Sequence, residues 1–173
     1  EDIERLLPDV TFLGEVPQDD NLDKFTNKRS ITLEASRVIR SAISFVLPKK
    51  KSNIIMVTST IKGEGKSFIS YNIANSYHDL GKKVVLLGCD LRNPQIHSIL
   101  NIKRPNNGVS TFLNDNNFSD VDSLINNGDK NSFDVIHSGA IPPNPSELLM
   151  RPRMKELLEI LSSKYEMETK SYS

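Results

Sequence analysis

The chain has 173 residues, and its 22 Lys and Arg residues balance 22 Asp and Glu residues, so the formal net charge is zero. This length fits one domain, and the neutral balance argues against nucleic acid or a membrane surface as the main partner. A single cysteine, Cys89, excludes an intrachain disulfide, and neither a membrane span nor a signal peptide is recognisable, so we expect a cytoplasmic protein.

The first elements predicted along the chain are an arm and a helix. Residues 1–30 indicate an extended arm with a turn, because their apolar residues are interrupted by Pro8, Gly14 and Pro17. Residues 32–47 predict an amphipathic helix, since apolar side chains recur every three or four positions. The expected buried stripe is Ala35, Ile39, Ala42, Ile43, Val46 and Leu47.

Strands and helices then alternate. Short apolar runs predict strands at residues 54–57, 84–87 and 133–136, and the first two of these are expected to be buried. Helices are predicted at 66–80, 94–100, 108–113 and 145–164, with a break near Pro152, whereas 114–131 predicts polar loops around a short helix. Such alternation is typical of an α/β fold, a parallel sheet with helices on both faces.

Residues 58–67, which follow the first strand and open a helix, have the composition of a phosphate-binding loop. Gly63 and Gly65 would let backbone N–H groups approach phosphate oxygens, and the following helix adds its positive N-terminal end. Lys66 would contact the β- and γ-phosphates, while Ser67 offers a hydroxyl to Mg²⁺. Nucleotide contacts are expected from Lys62, Gly63, Glu64, Gly65, Lys66, Ser67 and Phe68.

One position departs from the usual G-x-x-x-x-G-K-[ST] pattern, because Thr60 stands where the first glycine is expected. A glycine-rich turn that binds nothing is the alternative interpretation of the loop. Its position between a strand and a helix favours nucleotide binding.

Asp90 follows the second strand, where ligands bind in open α/β sheets. A carboxylate at this place can hold Mg²⁺ or accept a hydroxyl proton, so Asp90 is a candidate catalytic and metal-associated residue. The alternative is a structural one, in which Asp90 caps a helix that begins near Pro94.

An apolar strand followed by Asp90 and Arg92 resembles the D-x-D-x-R motif of the bacterial tyrosine kinases of capsule and exopolysaccharide export. The resemblance implies that Asp90 and Arg92 serve the nucleotide site with Lys66. Gly88 stands where the family has its first aspartate. We expect Gly88→Asp to strengthen the Mg²⁺ dependence of nucleotide binding or turnover.

Two further segments resemble the same family. Glu34, Arg37 and Arg40 match an E-x-x-R-x-x-R helix that mediates ring-like self-association in the family, although these residues taken alone favour a solvated salt-bridge face. Residues 139–149 match its G-x-x-P-P-N-P-x-E-L-L segment, which also has a structural explanation: a proline-stiffened turn capped by Asn144. The resemblance implies an arm at 1–30 and a kinase domain at 31–173.

The family continues with a buried strand that ends in the Walker B aspartate. Residues 166–173 contain no apolar run with a terminal aspartate, so the sheet is expected to lack this central strand. A truncated protein and an incomplete sequence are both consistent with this end.

The resemblance implies an ATP- and Mg²⁺-dependent tyrosine autokinase at the inner face of the cell membrane. Its implied partners are further copies of the chain, a membrane-embedded activator and a cognate tyrosine phosphatase. A catalytically weak, nucleotide-sensing assembly module is a second interpretation, favoured by Gly88. The third is a partitioning-type P-loop ATPase, but Ile61 stands where those enzymes carry a lysine.

Overall fold

The computed structural model describes residues 10–16, 31–48, 50–59, 61, 63–127 and 133–171. The chain divides between Pro48 and Lys49 into two compact units. No helix among the described residues is long and apolar enough to cross a membrane.

In the first unit, an arm at residues 10–16 without regular structure precedes helix α1 (Ile31–Val46). Gly14 has a φ of +145°, and a Cβ there would lie 3.2 Å from Cγ1 of Ile39.

The predicted helix is confirmed, but its buried stripe agrees with the expected one only at Ile39 and Ile43. Val46 is exposed, and the buried residues are Thr32, Ser36, Ile39 and Ile43. Ser36 tolerates burial because its hydroxyl donates to the carbonyl of Thr32 at 2.8 Å.

The second unit contains one five-stranded sheet with the order β1-β5-β2-β4-β3. Its strands are β1 (Asn53–Val57), β2 (Val84–Gly88), β3 (Ile125–Asn127), β4 (Asp134–Ile136) and β5 (Met167–Ser171). Strands β1, β5, β2 and β4 are parallel, as predicted, whereas β3 pairs antiparallel with β4. The edge strand β3 was not predicted, because its short, Asn-rich sequence indicates a loop.

The expectation that the sheet lacks its central strand is wrong. Strand β5 pairs with β1 on one side and with β2 on the other. Pairing on both sides satisfies the backbone N–H and C=O groups, so a polar sequence can form a strand there. Met167 and Thr169 are buried. No residue of β5 is an aspartate, so this strand does not supply a Walker B carboxylate.

Strand β1 is not buried as predicted, because it lies at the edge of the sheet. Ile54 is 41% exposed and Met56 is 62% exposed. Strand β2, in contrast, is buried along its whole length, as its continuous apolar run predicts.

Helices lie on both faces of the sheet, and they carry its hydrophobic core. The helices are α2 (Lys66–His78), α3 (Ile96–Ile99), α4 (Val109–Asn114), a 3₁₀ helix (Val121–Leu124), α5 (Pro145–Leu149) and α6 (Pro152–Lys164). Helix α2 packs on β1, β2 and β5. On the other face, one cluster includes Val85 and Leu87 of β2, Phe112 of α4, and Leu157 and Leu161 of α6. The break between α5 and α6 at Pro152 is confirmed.

Candidate functional site

The loops that follow β1 and β2 line an open cleft of about 730 Å³. Because both strands are parallel neighbours of β5, their carboxyl ends lie at the same edge of the sheet. The predicted site residues that line this cleft are Gly63, Gly65, Lys66, Ser67, Phe68, Asp90 and Arg92. The lining also includes Ser59 and Ile61, which belong to the predicted phosphate-binding loop but have no predicted contact of their own. Asn93, Gln95 and Ile99 complete the lining, and the sequence did not indicate them.

The backbone of the first loop has the conformation that its glycines permit. Gly63 has a φ of +91° and Gly65 a φ of +88°, values that L-residues with side chains rarely adopt. A Cβ at either position would meet no atom within 4 Å, so the backbone conformation and not space requires glycine. Gly65 is the N-cap of α2, which therefore begins at the cleft.

The ammonium group of Lys66 lies inside this loop. Its Nζ donates to Oγ of Ser59 at 2.9 Å and lies 3.5 Å from the carbonyl oxygen of Ile61. Ser59 in turn donates to the carbonyl of Ile61 at 2.9 Å. The positive charge is thus held among neutral oxygens.

Two predicted nucleotide contacts differ from this group. Glu64 does not line the cleft, and its Oε2 accepts from the backbone N–H of Ile61 at 3.2 Å, which closes the loop. Lys62, like the unusual Thr60, lies outside the described residues.

Asp90 is 8% exposed and organises the second loop. Its Oδ1 accepts from the backbone N–H groups of Arg92 at 3.1 Å and Asn93 at 2.8 Å. The structural alternative was therefore partly right, since Asp90 caps a turn. It does not cap a helix, because α3 begins at Ile96 with Gln95 as its N-cap.

Gly88 ends β2 next to Ser138, which follows β4. A Cβ at position 88 would lie 2.7 Å from Oγ and 2.8 Å from the backbone N of Ser138. Both distances are shorter than real Cβ contacts. The place of the family's first aspartate is thus closed to a side chain here.

The proline-rich segment at 139–149 reaches the edge of the cleft. Gly139 has a φ of +80°, and a Cβ there would lie 2.6 Å from Oγ of Ser110. Asn144 is the N-cap residue of α5, as predicted, but its side chain makes no capping hydrogen bond and instead donates to Glu147 at 3.0 Å. Ser146 accepts a hydrogen bond of 2.7 Å from Nη2 of Arg92, which connects α5 to the cleft.

The charged residues of the predicted association helix lie in the other unit, on α1. Nη1 of Arg37 forms an ion pair with Oε1 of Glu34 at 2.5 Å. Arg40 follows Arg37 at the same spacing and is half-buried.

The strongest electrostatic perturbation of a histidine lies at the end of β4. His137 is 2% exposed, and its Nε2 has no hydrogen-bond partner among the described residues. Burial, with a smaller contribution from His97, lowers the pKa of His137 to about 4.

Tyr165 lies at the opposite end of the sheet, and its hydroxyl donates a hydrogen bond to Asp134. Burial and this hydrogen bond raise the pKa of Tyr165.

The cleft residues fit a cation that is held largely by phosphate oxygens. Ser67 and the buried carboxylate of Asp90 line the same cleft. Both offer oxygen atoms, the ligands that Mg²⁺ prefers. No group of three or more His, Cys, Asp or Glu residues within the described ranges could hold a metal by itself.

Known proteins with similar sequences are bacterial tyrosine kinases. Tyrosine-protein kinase etk of Escherichia coli (strain K12) is 33% identical over 82% of this chain, which spans 19% of that relative's length. Tyrosine-protein kinase YwqD of Bacillus subtilis (strain 168) is 34% identical over 85% of this chain, which spans 61% of that relative. No family model matches the chain.

Solved structures that are similar to this chain include a bacterial tyrosine kinase domain. The kinase domain of Escherichia coli tyrosine kinase ETK superposes with a TM-score of 0.88 at 29% identity, over 99% of this chain and 72% of that one. The chimerical protein CapA2B2 gives 0.85 at 32% identity, over 99% and 74% of the two chains. The septum site-determining protein MinD of Pyrococcus horikoshii gives only 0.56 at 18% identity, which shows a shared fold alone.

Proposed function

This chain belongs to the bacterial tyrosine kinase family, and from that premise we propose that it is the ATP-binding domain of a tyrosine autokinase of capsule or exopolysaccharide synthesis and export. The observation that carries the proposal is the convergence of Lys66, Asp90 and Arg92 on one cleft. These residues come from two separate loops, and the sequence predicts each of them as part of the nucleotide site.

The first loop binds the phosphates. Backbone N–H groups around Gly63 and Gly65 and the N-terminal end of α2 attract the anionic tail. Lys66 contacts the β- and γ-phosphates and Phe68 lies beside the nucleotide, while Lys62 stays a nucleotide contact predicted from the sequence alone. Ser67 and Asp90 would hold Mg²⁺, and the ion would neutralise phosphate charge when bound.

The reaction is transfer of the γ-phosphoryl group to a tyrosine hydroxyl. The tyrosyl oxygen forms a bond to the γ-phosphorus, the bond from that phosphorus to the bridging oxygen breaks, and ADP leaves. The carboxylate of Asp90 accepts the hydroxyl proton. Arg92 and Lys66 stabilise the charge that develops on the phosphoryl oxygens.

Partners follow from the same family membership. The domain assembles with further copies through Glu34, Arg37 and Arg40, acts with a membrane-embedded activator at the inner face of the cell membrane, and is reversed by a cognate tyrosine phosphatase. These assignments rest on the family resemblance of α1 and of the kinase motifs.

A nucleotide-sensing module without kinase activity is the second candidate. Gly88 supports it, because the position of one carboxylate is closed by Ser138. The partitioning-type ATPase is disfavoured by Ile61, which stands where those enzymes carry a lysine.

The test is phosphotyrosine formation by the purified chain with radiolabelled Mg-ATP and a tyrosine-containing acceptor polymer. We expect label on tyrosine, and we expect Lys66→Ala to abolish it. Lys155→Ala is the matched control, because the Lys155 side chain is 83% exposed on α6, where it pairs with Glu159 at 3.7 Å. Nucleotide binding without any labelled tyrosine would favour the sensing module instead.

A further inference from the structure

We propose that Ser146 is a positioning residue that holds the Arg92 guanidinium at the cleft with its charge available for the phosphate tail of a nucleotide. The contact is the 2.7 Å hydrogen bond from Nη2 of Arg92 to Oγ of Ser146. This inference rests on the proposed nucleotide site. It gives the proline-rich segment at 139–149 a role that the resemblance to the family's segment does not supply.

The backbone end of Arg92 is already fixed. Oδ1 of the buried Asp90 accepts from the N–H groups of Arg92 and Asn93, which holds the turn in one conformation. The remaining freedom lies in the long arginine side chain, whose ordering is entropically costly. A contact at the guanidinium end therefore restricts where the charge lies, even though the hydrogen bond to Ser146 is exposed.

Ser146 is a fixed acceptor, because α5 is anchored on both sides of it. Pro145 occupies the first turn of the helix, where its restricted φ favours the helical conformation. Leu148 is completely buried, and its N–H donates to the carbonyl of Asn144 at 3.1 Å. The hydroxyl of Ser146 is thus presented from a rigid frame.

The acceptor is neutral, and this decides what the contact does. None of the salt bridges among the described residues includes Arg92. The nearest carboxylate along α5, that of Glu147, accepts from Asn144 at 3.0 Å. A hydroxyl fixes the guanidinium without cancelling its charge, and the planar fork keeps further N–H donors for phosphate oxygens.

The experiment is calorimetric titration of Mg-ATP into the chain and its variants, with thermal unfolding measured on each. Ser146→Ala should weaken binding about three- to tenfold, the range of one hydrogen bond. Ser146→Thr keeps a hydroxyl and should bind as the parent does. Ser163→Ala is the matched control on α6, where the serine hydroxyl bonds only a carbonyl of its own helix, that of Ile160, and it should change nothing.

Ser146→Asp separates positioning from helix stability. An aspartate in the first turn of α5 favours the helix and would hold Arg92 more firmly, so the melting temperature should not fall. Nucleotide binding should nevertheless weaken at least as much as in Ser146→Ala, because the ion pair cancels the charge. Tighter binding by Ser146→Asp would overturn the proposal.

A double-mutant cycle completes the test. In an Arg92→Ala background, Ser146→Ala should cause no further loss of affinity, since the serine acts only through the arginine. Additive losses of affinity in the cycle would overturn the proposal. So would a Ser146→Ala variant that binds Mg-ATP as tightly as the parent, when Lys66→Ala weakens that binding. A parent that binds no nucleotide would overturn this inference and the proposed function together, so the two failures are distinguishable.

Discussion

Gly88 shows how a single residue changes what the family motif can do in this chain. Restoring the aspartate was expected to strengthen Mg²⁺ dependence, but a Cβ there would lie 2.8 Å from the backbone N of Ser138. Because that neighbour is backbone, the strand ends must separate to admit a side chain. We expect Gly88→Asp to lower the free energy of unfolding by about 1–3 kcal/mol, as overpacking does.

Urea unfolding with and without Mg²⁺ measures both consequences of this substitution. Gly88→Ala is the control, because it adds the Cβ without a carboxylate and should account for most of the lost stability. A Gly88→Asp protein that is as stable as the parent, and whose nucleotide affinity depends more steeply on Mg²⁺, would show that the strand ends yield easily.

Residue types at strand ends were predictable, but contacts between distant segments were not. Lys66 and Ser67 follow from the loop pattern, and Asp90 follows from the rule that ligands bind beyond the carboxyl ends of parallel strands. The Arg92–Ser146 contact joins positions 54 residues apart, and no local periodicity reports it. The clash at Gly88 was equally inaccessible, because it depends on the register of β2 against β4.

Strand β5 is the element whose prediction failed, and its buried threonine offers a test. Thr169 is completely buried between β1 and β2, and its Oγ1 has no hydrogen-bond partner among the described residues. Thr169→Val removes that unsatisfied hydroxyl at nearly constant shape, so stability should rise by about 1 kcal/mol.

Urea unfolding of Thr169→Val, with Thr11→Val as the matched control on the exposed arm, measures this gain. The control should leave the midpoint unchanged. If Thr169→Val also leaves it unchanged, residues 167–171 do not form the centre of the sheet in solution.

Helix α1 carries the prediction about assembly. Within the helix, the Glu34–Arg37 ion pair is partly exposed and contributes only about 0.2–0.5 kcal/mol. Arg37→Ala with Arg40→Ala should therefore shift the melting temperature by about 2 °C or less. Light scattering should show loss of any defined oligomer. If the parent forms such an oligomer and the double mutant keeps it, these residues do not mediate assembly and form only a solvated face.

Elements with strong patterns were predicted well, and short or polar elements were not. The buried run of β2 and the break at Pro152 follow directly from sequence. Strand β3 has three residues, and β5 has polar ones, so pairing with neighbours and not side-chain pattern determines both. The edge position of β1 depends on the order of the strands, which its apolar sequence does not encode.

At the scale of the whole molecule, His137 should make stability depend on pH. Its pKa is lowered to about 4, whereas an unfolded histidine titrates near 6.5, so between these values the unfolded chain binds more protons. Stability is therefore greatest above about pH 6.5 and falls as the pH approaches 4, by on the order of 3 kcal/mol.

Urea midpoints measured between pH 4 and 7 test this dependence. His137→Gln should flatten the slope, and His78→Gln should retain it. Equal slopes for the parent and His137→Gln would show that other groups cause the acid sensitivity.

Calorimetric binding of Mg-ADP is the decisive measurement for the proposal that the cleft beside α2 is a nucleotide site of the tyrosine kinase type. Lys66→Ala should weaken binding at least about tenfold, because charge-assisted contacts to phosphate are lost. Lys155→Ala should bind as the parent does. Equal affinities for the parent and Lys66→Ala would contradict the assignment.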